Sequence, residues 1–223
     1  MLLLAIDTSA NASAALLCSR GTVIEVLGSF TSERGNDHSE VLAQAIESLL
    51  ADASGQRPEV IAVGVGPGPF TGLRVGLATA RTLGFAWDVP VHGVVSLDAI
   101  ALEAAADNPE TDFVVAIDAR RKELYWARYS SSGLLMDGPH VSVAEELPAL
   151  PVYGAGAGLY AERLVASGAT VVAGFADAHP GAVALGTRAL RALASGEALE
   201  GTEPLYLRES DAKVPAVMKG KLL

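Results

Sequence analysis

A single cysteine, Cys18, excludes an internal disulfide and any site built from several thiolates, and it fits a reducing compartment. Positive charge is scarce. Sixteen Lys and Arg stand against 26 Asp and Glu, a net charge of -10, which disfavours a dedicated nucleic-acid binder that neutralises phosphates with clustered cations. No run of about 20 uncharged apolar residues occurs, so a spanning helix is not expected. The opening MLLLAIDTSA has no basic stretch and meets Asp7 too early for a secretory signal. These exclusions predict a cytoplasmic protein with no membrane partner. Aromatic residues make up only 5% of a chain that is 50% hydrophobic over 223 residues. Its core must therefore be aliphatic, and there is enough of it for one bipartite domain or two small ones.

Catalytic signatures are equally thin. The loop Gly66–Gly72 has no Lys-Ser/Thr ending of a phosphate-binding P-loop, and no G-x-S-x-G elbow is present. Gly154, Gly156 and Gly158 alternate instead of following the dinucleotide spacing. Four residues after His38 stands Leu42, where a helical metal pair needs a second histidine, and His92, His140 and His179 are scattered; no metal is expected. The segment DTSANAS at 7–13 holds no glycine that would let the backbone approach a phosphate.

What is present is more specific. Between Val60 and Trp87 a β-branched run ends in a loop with Gly66, Gly68 and two prolines, then opens a charge-poor helix. Such a junction suits either an anion at a helix N-terminus or a tight corner between closely packed elements. Thr71 is placed to cap that helix. Gly72 and Gly76 share one face, where another helix could approach, beside a stripe of Leu73, Leu77, Ala80 and Leu83; the balance favours packing. A second helix is expected over 38–52, with Leu42, Ile46 and Leu49 at helical spacing and Asp37 as its cap. These two helices have more apolar and small surface than one sheet needs, which points to a partner.

The chain also echoes itself. Residues 3–24 and 114–135 each read as an apolar strand ending in Ala-Ile-Asp, a polar turn and two further strands, so Asp7 and Asp118 fall in equivalent places. Strands near 60–65 and 91–95, with helices 71–87 and 96–106, complete the first half. Strands near 151–153 and 170–173, with helices near 158–167 and 181–195, complete the second, and a last short strand is expected at 204–208. The division falls into subdomains 1–106 and 107–223, with a tail from about 195 placed to pack back on the first.

GPGPFTGLRVGLATARTL at 66–83, DTS at 7–9, HSEVL at 38–42, DARRKELYWARY at 118–129 and PLYLR at 204–208 together resemble the TsaB (YeaZ) family. Pro69 stands where that family's loop has serine. The resemblance implies an α/β chain with the duplicated actin-like (ASKHA, RNase H-like) fold, two subdomains each with a mixed sheet and flanking helices. It implies a non-catalytic scaffold that supports a TsaD-like catalytic subunit in threonylcarbamoylation of tRNA adenosine-37. A TsaE-like ATPase, a homodimer when the chain is alone, and tRNA reached indirectly are further implied partners. The expected partner interface is His38, Leu42, Ile46, Leu49, Gly72, Leu73, Gly76, Leu77 and Ala80. Asp7, Thr8, Ser9 and Asp118 are candidate nucleotide contacts; no cofactor is expected in the isolated chain, with ATP at an interface shared with the partner. The alternatives are an actin-fold ATPase or sugar kinase using Asp7 near phosphate, and a glycoprotease-like hydrolase.

Overall fold

Strands that are apolar at every position must be covered on both sides, and this rule organises the molecule. A computed structural model describes residues 1–32, 38–53 and 55–208, with the backbone alone for 38–40. In the first half, β1 (Leu2–Asp7), β2 (Ser13–Arg20) and β3 (Val23–Thr31) form an antiparallel meander; β4 (Val60–Gly66) adds parallel to β1 and β5 (Val91–Val95) parallel to β4. In the second half, β6 (Phe113–Asp118), β7 (Glu123–Tyr129) and β8 (Leu135–Val143) form the meander, and β9 (Pro151–Tyr153) and β10 (Thr170–Val171) are the parallel additions. The two five-stranded sheets run β3-β2-β1-β4-β5 and β8-β7-β6-β9-β10. One order repeats the other, so the fold is a duplicated, actin-like pair of mixed sheets.

Period-two alternation divides β1 between two cores. Leu4 and Ile6 face α1 (His38–Asp52) and α2 (Phe70–Trp87), meeting Leu42, Ile46, Leu49, Leu77 and Ala80. Leu3 and Ala5 face the other way, against Leu185, Ala189 and Leu190 of α6 (Ala182–Ser195). A Cβ at Gly186 would lie 2.6 Å from Leu17 and 2.9 Å from Ala5, so glycine lets this helix lie directly on the sheet. The first sheet is thus closed by a helix from the end of the chain. Conversely α3 (Ser96–Ala106), from the first half, places Leu97, Ile100 and Ala104 on Phe113, Val115 and Tyr129 of the second sheet. The other face of that sheet is covered by α4 (Ala155–Leu159) and α5 (Ala161–Ala166), through Ala157 and Leu164. The halves therefore exchange their third helices, which also pack on each other. Across that contact Tyr129 donates to Asp98 at 2.8 Å, and Arg188 lies 3.7 Å from the same carboxylate.

Several local expectations need correction. The cap of α2 is Pro69, not Thr71; it offers no side-chain hydrogen bond, and Thr71 lies inside the helix. The helix expected near 158–167 is two short ones, broken at Tyr160, whose φ of -115° is not helical. Residues 204–208 form no strand. Instead 199–208 run as an extended strap that exchanges backbone hydrogen bonds between Glu200 and Gly93, and donates from Leu205 N–H to the Val65 carbonyl. The strap then reaches the second sheet at Arg208, whose Nη1 donates to the Ala119 carbonyl at 2.8 Å. The proposed Asp37 cap lies outside the described residues.

Candidate functional site

The two halves leave a cleft of about 960 Å³ between them, lined by Asn11, Pro69, Thr71, Asp118, Arg120 and His179 among others. It opens beside the turns that follow β1 and β6, the strands that end in Asp7 and Asp118. The aspartates behave differently here.

Asp7 is fully buried and turned into the protein. Its Oδ1 accepts from the Ser9 N–H at 2.8 Å and the Ser9 hydroxyl at 2.6 Å, and its Oδ2 accepts from the Ser96 hydroxyl at 2.6 Å. Ser96 Oγ in turn accepts from the Gly66 N–H at 3.1 Å. A Cβ at Gly64 would fall 1.8 Å from Asp7 Oδ2, so only glycine leaves room for the carboxylate. Burial raises the Asp7 carboxyl above its ordinary value and outweighs the three hydrogen bonds that oppose the rise. This is a buried knot joining β1, β4 and α3. Its oxygens do not open onto the cleft.

Thr8 is also buried, and it explains Gly76. Its Oγ1 donates to the Gly72 carbonyl at 2.7 Å and accepts from the Gly76 N–H at 3.1 Å, the two ends of one helical i→i−4 link. A Cβ at Gly76 would lie 2.3 Å from that hydroxyl. Gly68 likewise would meet the Ser9 backbone carbonyl at 2.7 Å. Gly68 and Gly76 admit the β1–β2 turn, not another helix as the sequence suggested. The loop is a tight corner, filled by the chain's own residues.

The expected partner interface is corrected on the same grounds. Leu42, Ile46, Leu49, Gly72, Leu73, Gly76, Leu77 and Ala80 are all buried in this chain's own core and cannot be reached by a second protein. The side chain of His38 lies outside the described residues. Hydrophobic periodicity finds the inward face of a helix; docking uses the outward one. On α1 that face carries Ala43, Glu47 and Ala51, and on α2 it carries Ala78, Thr82 and Phe85. Phe85 is 92% exposed. Beside this face, Arg81 is tied to Thr202 and Glu203 of the strap, and Arg74 donates to Tyr206.

Asp118 does line the cleft. Its Oδ1 accepts from the Arg120 N–H at 2.9 Å and the Tyr160 hydroxyl at 3.3 Å. The turn that follows is the most unusual backbone in the molecule. Arg120, Arg121 and Lys122 have φ of 63°, 55° and 65°, three successive left-handed residues with full side chains. Such residues cost about 1 kcal/mol or more each and persist only when their surroundings hold them. Arg208 supplies the hold from the strap, with hydrogen bonds to the Ala119 and Arg120 carbonyls, an ion pair with Glu123 and a cation–π contact on Tyr125. Arg163 of α5 adds another, donating to the Lys122 carbonyl at 3.2 Å while paired with Glu145.

Sequence reasoning missed Ser96, Gly64, Tyr160 and Arg208. Only the serine at the strand–helix junction Val95–Ser96 offered a signal. The others act through contacts remote in sequence. Among the described residues no group of three or more His, Cys, Asp or Glu side chains is arranged to hold a metal ion, and no helix is long and apolar enough to cross a membrane.

Comparison with known proteins places this geometry. The family model described as TsaD, tRNA N6-adenosine threonylcarbamoyltransferase, matches residues 26–147. An uncharacterized protein of Mycobacterium tuberculosis is 38% identical over 221 residues, 96% of this chain and 95% of its own length. The tRNA threonylcarbamoyladenosine biosynthesis protein TsaB of Escherichia coli is 33% identical over 131 residues, which cover 58% of this chain and 55% of that protein. The solved structure of YeaZ from Pseudomonas aeruginosa superposes with a TM-score of 0.75 at 31% identity, covering 92% of this chain and 99% of that one. The chain belongs to the TsaB (YeaZ) family.

Proposed function

We propose that this protein serves the formation of threonylcarbamoyladenosine in tRNA as a non-catalytic subunit, supporting a TsaD-like catalytic partner. The observation that carries the reading is the Asp7 knot. The acid that an actin-fold phosphotransferase would turn to its nucleotide is here fully buried and held by Ser9 and Ser96. Magnesium–phosphate chemistry needs exposed oxygen ligands facing the substrate. The isolated chain therefore binds no ATP through Asp7; nucleotide belongs at an interface shared with the partner. The outward face of α1 and α2 is the docking surface, because its alanines allow another helix to come close and Phe85 supplies an apolar anchor. The same face pairs two copies when the chain is alone.

Reconstitution with a TsaD-like partner, a TsaE-like ATPase, tRNA, ATP and a threonylcarbamoyl donor tests the reading. Modification is expected to collapse when this chain is omitted; equal modification without it would end the proposal. ATP hydrolysis by the isolated chain, abolished in Asp7→Asn, would favour the ATPase alternative. Phe85→Glu is expected to weaken co-purification with the partner at least tenfold, since it puts a charge at an apolar contact, about 2 kcal/mol, and to leave the melting temperature unchanged. Ile46→Glu serves as the contrast. It buries a charge without a counter-ion in the core and is expected to remove the cooperative melt itself, read by circular dichroism.

A further inference from the structure

We propose that the strap at 199–208 relays docking to the cleft: a partner seated on the outward ridge of α2 contacts the strap, and the strap sets the β6–β7 turn at the cleft's rim through Arg208. The identity of that partner rests on the function proposed above. Phe70, Arg74, Ala78, Arg81 and Phe85 follow one another at steps of three and four residues, so they form one ridge along α2. The strap runs antiparallel beside it. Arg81 donates to the Thr202 hydroxyl at 3.0 Å and to Glu203 at 2.8 Å. Nearer the start of the helix, Arg74 donates to the Tyr206 hydroxyl at 2.9 Å, and the Tyr206 ring lies 4.3 Å from that of Phe70. Arg81 is one turn from Phe85, the exposed anchor. A protein that covers Ala78 and Phe85 therefore meets Arg81 and, with it, Glu203, whose side chain is 89% exposed.

The same strap spans both halves. Its Leu205 N–H donates to the Val65 carbonyl at 2.8 Å, at the base of the Gly66–Gly72 loop. Three residues on, Arg208 binds the Ala119 carbonyl at 2.8 Å, reaches the Arg120 carbonyl and pairs with Glu123. That grip matters because of the backbone it holds. Asp88 and Asn108 also have positive φ, but each stands alone just past a helix and is of a type that tolerates it. Arg120, Arg121 and Lys122 are three in a row, of types that rarely do. Such a turn keeps its shape only while its surroundings hold it. Arg163 holds the Lys122 carbonyl independently of the strap, so the Ala119–Arg120 end is the one that answers to Arg208. Asp118 and Arg120, at that end, line the cleft. The contacts thus run without a gap from ridge to rim, and the last of them acts on a backbone that does not hold itself. Docking that fixes Glu203 and Tyr206 fixes Arg208, and with it the shape of the cleft's rim.

Amide hydrogen exchange on the full chain tests the relay at Ala119, Arg120 and Glu123, whose N–H groups are hydrogen-bonded within the turn. In the isolated chain the double variant Arg74→Ala, Arg81→Ala releases the strap from α2 without touching the turn. It is expected to speed exchange at those three amides about tenfold and to leave β1 and β4 unchanged. Arg208→Gln is expected to do the same from the other end. Arg191→Ala, the loss of an exposed arginine on α6, is expected to change nothing at the turn. Unchanged exchange at the turn in the double variant would overturn the relay, and so would an acceleration shared equally by β1 and β4. The second arm adds a TsaD-like catalytic subunit. Its binding is expected to slow exchange at the turn by about threefold or more in the wild type, and to leave it unaltered in Arg208→Gln, which keeps the ridge intact. Equal slowing in Arg208→Gln would also overturn the relay. A catalytic subunit that fails to bind the wild-type chain removes the proposed function instead, and the isolated-chain arm still decides the relay.

Discussion

Asp7→Ala is expected to lower the midpoint of thermal unfolding by roughly 10–15 °C. The substitution strands three buried donors, the Ser9 N–H, the Ser9 hydroxyl and the Ser96 hydroxyl. Each unsatisfied donor costs about 1–3 kcal/mol, and the sum falls short of additive, giving about 3–5 kcal/mol. A chain of this size shifts by roughly 2–4 °C per kcal/mol. Asp7→Asn keeps the shape and accepts from Ser9, so it is expected to lose much less. Its pH dependence is the sharper diagnostic. Because burial raises the Asp7 carboxyl in the folded state, its contribution to stability is full below the ordinary value of 3.8 and is lost as pH climbs through the folded value. The advantage of wild type over Asp7→Asn should therefore shrink steadily with rising pH in a series of urea midpoints. An advantage that grows with pH would mean that the carboxylate is stabilised by charge, and the picture of a desolvated knot would fail.

Gly76→Ala should destabilise the protein, by less than the loss of Asp7, although alanine is the better helix former. Its methyl would be driven to 2.3 Å from a buried hydroxyl that has no room to retreat. Overpacking of this kind costs about 1–3 kcal/mol or more, against a gain in helix propensity of about 1. Thr8→Ala alone removes the hydroxyl that sits between Gly72 and Gly76, at about 1–2 kcal/mol. The double variant tests the geometry, since removing the hydroxyl makes room for the methyl. Chemical denaturation should show the pair less destabilised than the sum of the singles by about 1–2 kcal/mol. Strict additivity would mean that the two residues do not meet.

The duplicated architecture was legible in the sequence because Leu3–Asp7 and Val114–Asp118 are apolar at nearly every position and are followed by the same order of turns and strands. Local pattern carries that much. It did not carry the exchange of α3 and α6, since a helix with one apolar stripe reads the same whichever sheet it covers. The inward faces of α1 and α2 were found correctly, but surplus apolar surface was read as partner surface when both stripes are absorbed by β1, β2 and β4. Gly72 and Gly76 were seen to permit a close approach. What approaches is a threonine 64 residues away from Gly72, a contact no periodicity encodes. The left-handed turn at 120–122 was invisible for a similar reason. Arg-Arg-Lys has no turn chemistry of its own and takes that shape only because Arg208 and Arg163 hold it.

The exchange of third helices also bears on how the protein is made. During synthesis, the strands of the first sheet leave the ribosome with one of their two faces bare. Leu3, Ala5, Leu17 and Ala62 wait for Leu185, Ala189 and Leu190, which emerge more than a hundred residues later. At about 5–20 residues per second, that interval lasts on the order of ten seconds. The first half is therefore a nascent chain with a sticky sheet until α6 arrives, and it is in that interval that a chaperone has most to protect.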